Sequence, residues 1–213
     1  MTRVLMLIGW FVLGCASTGA AQSSRAASPQ PLPTLPRERE IEVALSAAPA
    51  HLRAGAAVYA RTATGYVLAR KGTNGFTCII QHTHPPRDLE PNCYDAEGTA
   101  AILPRVLYTA ERRAQGADSE TIEQEVEDRY RSGRFRKVTR PAFSYMLSPE
   151  QRFYDAKTGS LDPWHPHVMI FFPELTNADI GGAPREDAVR HGLPFVAAGG
   201  TRDAMIVIPV RYP

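Results

Sequence analysis

No apolar run in these 213 residues approaches the eighteen needed to cross a bilayer as a helix, so nothing in the chain reads as a transmembrane span. Charge of one sign is also missing: 24 basic residues stand against 22 acidic ones, and a net charge of +2 removes the bulk field expected of a nucleic-acid binder. There are only three cysteines and two tryptophans. His-Glu-x-x-His, Cys-x-x-Cys, an EF-hand loop and Asn-x-Ser/Thr do not occur. Gly181-Gly182 and Gly199-Gly200 lack the spacing of a phosphate-binding loop. The common metalloprotease, redox, calcium and nucleotide readings therefore lose their usual support.

What is present begins with an address. Thr2 and Arg3 precede ten apolar residues, Val4 to Leu13, and a stretch of small residues follows. This is the layout of a signal peptide, and the chain is expected to be exported to the periplasm, the outer membrane or the medium. Two processing outcomes compete. Val12-Leu13-Gly14-Cys15 resembles a lipobox, which would cleave after residue 14 and acylate Cys15; Gly19-Ala20-Ala21 would end an ordinary signal peptide at residues 1–21. Lipid on Cys15 would be the chain's only membrane attachment. The proline-rich segment 22–36 reads as an extended linker, and 37–213 as one globular domain.

In an oxidising envelope the two remaining cysteines, Cys78 and Cys93, are expected to pair, a closure worth roughly 3 kcal/mol in the chain-entropy model. The alternative is a free catalytic thiol at Cys78.

Along the body, helices are expected at Arg37 to Ser46, at Ile102 to Gln115 with Leu103, Val106 and Leu107 on one stripe, and from Asp118 to Gly133 with Ile122, Val126 and Tyr130 four apart. Ala57 to Ala60, Tyr66 to Arg70 and Phe76 to Gln81 suggest three contiguous antiparallel strands. Further strands fall at Phe143 to Leu147, Arg152 to Tyr154, His167 to Phe172 and Ala204 to Val210. The order predicts an α+β fold, a mainly antiparallel sheet with two or three helices on one face, PAS- or profilin-like in topology.

Four segments carry a resemblance: Gly72 to Cys78, Cys93 to Thr99, Pro166 to Met169 and Leu175 to Gly182. Together they are similar to an uncharacterised family of exported bacterial proteins with no assigned activity. The resemblance implies export and a single domain, and no chemistry.

Four of the six histidines form His-x-His pairs, His82-Thr83-His84 and His165-Pro166-His167. In extended chain each pair projects to one side, so the four imidazoles are a candidate Zn²⁺ or Cu²⁺ site. Otherwise they are loop and strand-end residues. His167 opens the apolar run to Phe172 and needs a partner, with Asp95, Glu97 and Asp179 as candidates. Ser144 as a nucleophile with His167 is a weaker version, because the Gly-x-Ser-x-Gly elbow is missing. Arg129, Arg131, Arg134, Arg136, Lys137 and Arg140 form a local basic strip that would meet lipid headgroups or an anionic envelope polymer, or else merely complement a helix C-terminus. The leading reading is a non-enzymatic envelope module that binds a small molecule, a metal or an envelope partner. The alternative is an envelope hydrolase using His167 with a nearby carboxylate.

Overall fold

The structure is a computed structural model that describes residues 34–83, 88–155 and 157–210. Cys15 and His84 fall outside these residues, as do the expected signal peptide and most of the linker. Helix α1 (Arg37–Ser46) and the short α2 (Ala50–Arg53) are followed by strands β1 (Ala57–Thr62), β2 (Gly65–Arg70), β3 (Thr77–Gln81) and β4 (Glu90–Tyr94). Then come α3 (Ala96–Ala101), α4 (Leu103–Ala114) and α5 (Ser119–Arg131), followed by β5 (Ala142–Met146), β6 (Arg152–Tyr154), β7 (Leu161–Pro163) and β8 (His167–Phe171). A 3-10 turn, α6 (Arg185–His191), β9 (Phe195–Ala197) and β10 (Met205–Pro209) complete the described chain. The fold is α+β. Eight strands form one sheet in the order β2-β1-β3-β4-β5-β8-β10-β9, and β6 pairs with β7 in a separate small ribbon.

One pairing departs from the expectation of three antiparallel strands. β3 lies on the other side of β1 from β2 and runs parallel to β1. After the β1–β2 hairpin the chain returns beneath the start of β1 and must pass it closely. A Cβ on Gly72 would stand 2.3 Å from the Ala57 amide nitrogen, so only glycine makes that crossing. All other pairings in the sheet are antiparallel.

The helices divide between the two faces rather than sharing one. On the first face Val43, Ala44 and Ala47 from α1 and the chain just after it pack on Val58, Cys78, Ile80 and Cys93. Cys78 and Cys93 sit directly opposite each other on β3 and β4 and are joined by a disulfide, which excludes the free thiol at Cys78. On the second face Leu103, Val106 and Leu107 from α4 and Ala188 from α6 pack with Ile79, Tyr94, Met169, Phe171, Phe195 and Val207. Helix α5 forms an outer layer on α4 through Ile122, Val126 and Tyr130, with Phe135 closing the cluster. Asp118 caps α5 by accepting the Thr121 N–H at 2.8 Å, as the Asp-Ser start suggests. No described helix is long and apolar enough to cross a membrane.

Candidate functional site: a two-ended cavity on the sheet

Strand alternation decides what the second face offers. Because Cys93 is committed to the first face, Glu90, Asn92 and Tyr94 must share the second, beside Gln81 and Ile79 of β3. Register then carries one row across five strands, Tyr94, Ser144, Met169, Val207 and Phe195. The polar members cluster on β3, β4 and β5, and the apolar ones on β8, β10 and β9.

Over this face lies a cavity of about 420 Å³. One end is lined by Gln81, Thr83, Glu90, Asn92, Tyr94 and Arg105. The other is lined by Met169, Phe171, Met205, Val207, Phe195 and Ala197. Phe153, Tyr154 and Trp164 of the β6–β7 ribbon form an aromatic side, with the Phe153 and Trp164 rings 5.5 Å apart and edge to face. A second cavity of about 300 Å³ under α4 and α5 adjoins it through Gln81, Thr83 and Arg105.

Most polar groups at the first end are spoken for. The Tyr94 hydroxyl accepts from Gln81 Nε2 and, at 3.3 Å, from Asn92 Nδ2. The Ser144 hydroxyl donates to Asn92 Oδ1. Arg105 holds Asp203 at 2.9 Å. Glu90 is different: it is 7% exposed, lies in no salt bridge among the described residues, and its Oε1 has no hydrogen-bond partner. Burial pushes its carboxyl up to about 8, with Asp88 reinforcing the shift and Thr83 opposing it.

His167 lines the same cavity at 4% exposure. Its Nδ1–H donates to the His165 carbonyl at 2.8 Å, which leaves Nε2 as an acceptor. Burial holds the ring below the usual imidazole range and therefore neutral.

The carboxylates expected beside His167 are occupied elsewhere. Asp95 caps α3 by accepting the Gly98 N–H at 2.7 Å, and Asp179 accepts from the Thr176 N–H and hydroxyl, both at 2.7 Å. Glu97 accepts from Arg136 at 2.7 Å, from Arg140 at 3.1 Å and from the Thr139 N–H. Burial raises the Glu97 carboxyl, but the Thr139 N–H and the two guanidiniums outweigh it and hold the group below its ordinary value. Ser144 is buried against Asn92, two strand positions from the row that pairs Met146 with His167. Asp95, Glu97 and Asp179 are therefore not partners of His167, and Ser144 bonds Asn92 rather than His167; the carboxyl that shares the cavity with His167 is Glu90.

Of the four histidines, His84 lies outside the described residues, and His82 and His165 have partners of their own apart from His167. His82 donates from Nδ1 to the Asp88 carbonyl and lines the smaller cavity; burial and the nearby Arg61 charge lower it to about 4. His165 lies against Trp164, with ring centroids 6.0 Å apart. Among the described residues no group of three or more His, Cys, Asp or Glu side chains is placed to hold a metal ion.

The basic strip is largely consumed by internal partners. Arg136 and Arg140 bind Glu97, Arg131 pairs with Asp128 at 3.0 Å, and Arg129 lies 3.7 Å over the Tyr108 ring. Arg134 and Lys137 are left on the surface.

The sequence reading missed Glu90, Asn92, Tyr94 and Gln81. Their signal was the alternation Glu-Pro-Asn-Cys-Tyr, in which one disulfide cysteine sends three polar residues to the opposite face. Comparison with protein-family models, with curated proteins and with solved structures finds no match for this chain, so neither the resemblance nor the PAS- or profilin-like topology gains support there.

Proposed function

We propose that this is an exported envelope module that binds a small amphipathic molecule in the cavity on the second face of the sheet. The observation that carries the reading is the cavity itself. Its volume of about 420 Å³ lies within the 300–1,000 Å³ usual for small-molecule sites, its walls are mainly apolar, and most of its polar groups gather at one end, with Arg185 lying 5.8 Å over the Phe195 ring at the other. A ligand lying along the sheet would put its apolar body over Met169, Val207 and Phe195 and its polar head at Glu90 and Tyr94. Binding rather than catalysis is favoured because, among the described residues, Ser144 is turned to Asn92 and Cys78 is held in the disulfide, so neither candidate nucleophile lines the cavity. Export, with a tether and an acylated Cys15 or a cleaved signal peptide, remains part of the proposal on the strength of residues 1–36 and the family resemblance.

The test is a titration with octan-1-ol followed by the fluorescence of Trp164. Saturable binding that is lost in Ala197→Phe, which narrows the apolar end, supports the reading. A non-saturable response, or one equal in both proteins, overturns it.

A further inference from the structure

We infer that the ligand of this cavity carries a protonated amine, seated on Glu90 at the polar end of the pocket. The inference rests on the binding role proposed above and names the chemistry of its head group.

The warrant is a mismatch the protein leaves unresolved. A buried carboxyl is normally paired or fully hydrogen-bonded, because stripping its water otherwise costs several kcal/mol. Glu90 is hydrogen-bonded by Thr83 and by the neighbouring carboxyl of Asp88, but its Oε1 is orphaned and it has no ion pair among the described residues. The cations near it are committed. Arg113 donates to the His82 carbonyl at 3.0 Å, and Arg105 is tied to Asp203. The other groups facing Glu90 are Thr83, Tyr94 and neutral His167, with Tyr66 beyond them holding the Ile80 carbonyl at 2.6 Å. None supplies a positive charge.

An ammonium group supplies both missing elements, a donor for Oε1 and a counter-charge for the carboxyl. The aromatic side of Phe153, Tyr154 and Trp164 suits the same head group, since ring faces attract cations at close range. An alcohol would satisfy Oε1 but gain nothing from the charge. A carboxylate would bring no counter-charge to Glu90 and would add a negative charge beside Asp88.

Seating the amine has a proton balance. In the empty pocket at pH 7 Glu90 is mostly the neutral acid; on binding it becomes the carboxylate partner of the ammonium, and its proton passes to the buffer. No covalent bond forms or breaks.

The experiment is isothermal titration calorimetry of the whole protein with hexylamine and with hexan-1-ol, at pH 7, in phosphate and in Tris. The expected result is amine binding at least tenfold tighter than the alcohol, with close to one proton released per amine. That release should fade above pH 9, where Glu90 is already ionised. Glu90→Gln should lose at least tenfold in amine affinity and all of the proton release while keeping the alcohol within about threefold. If the variant does not fold, the pH dependence of proton release in the unaltered protein decides alone. Equal binding of amine and alcohol with no proton released overturns the amine and leaves the cavity reading standing. Binding of neither overturns both.

Discussion

Glu90 is a titratable group placed where its charged form is poorly accommodated, and this couples stability to pH in a definite direction. Its folded value near 8 lies above the ordinary 4.5, so between those values the folded state holds the proton more tightly than the unfolded chain, and stability falls as pH rises. His82 acts oppositely: its folded value near 4 lies below 6.5, so stability is lost as pH falls through that interval. Between pH 6.5 and 8 Glu90 is the one of these two that titrates. Denaturant midpoints measured across that window should fall in the unaltered protein and stay level in Glu90→Gln; parallel curves would count against the buried acid. Glu97 shows the contrasting case of a buried carboxylate that is satisfied. Its side chain is 1% exposed and gathers Arg136, Arg140 and the Thr139 N–H. Because both arginines are partly in solvent, Glu97→Ala should cost about 1–2 kcal/mol rather than the cost of a fully buried pair, read by chemical denaturation. The strip from Arg129 to Arg140 was visible in the sequence, but its partners were not. Glu97 is some forty residues away, and only the fold brings it there.

Among the elements, those with their own periodicity were legible and those shaped by the cavity were not. Helix α5 could be read from its Asp118 cap and the four-residue spacing of Ile122, Val126 and Tyr130, which face one cluster. Strand β4 was missed because Glu, Pro and Asn are poor strand formers. They sit in a central strand because the disulfide fixes one face while the cavity takes the other. The acidic side chains of α5 take tertiary partners: Glu125 binds Arg112 at 2.7 Å, and Glu127 binds Arg202 at 2.7 Å. Cys78 and Cys93 close a span of 15 residues, and changing both to alanine should lower stability by roughly 3 kcal/mol, measured as the shift in denaturant midpoint. The β6–β7 ribbon makes a different prediction. All three residues of β7 are exposed and Trp164, which follows it, is only half-buried, so Trp164→Ala should cost less stability than truncating a core aromatic yet weaken hydrophobic probes in the cavity about tenfold, through loss of ring surface. An equal loss in both would mean that the ribbon is structural.

For the molecule as a whole, the α+β class followed from element order, whereas the parallel β1–β3 pairing and the split of helices between faces did not. The parallel pairing depends on the tight return past Ala57 that Gly72 permits, a contact between backbone atoms distant in sequence that leaves no periodic trace. The two sheet faces do different work. The disulfide face is closed by α1, and the second face is held open under α4, α6 and the ribbon. That division makes the cavity a property of the architecture rather than of one motif, and the chain offers a direct probe of it. Its five methionines are Met1, Met6, Met146, Met169 and Met205, and the last three all line the larger cavity. Protein labelled with ¹³C at the methionine ε-methyls and titrated with hexylamine or octan-1-ol should show the resonances of Met146, Met169 and Met205 moving together and saturating. Binding that leaves those three methyls unmoved, or no binding at all, would contradict the account.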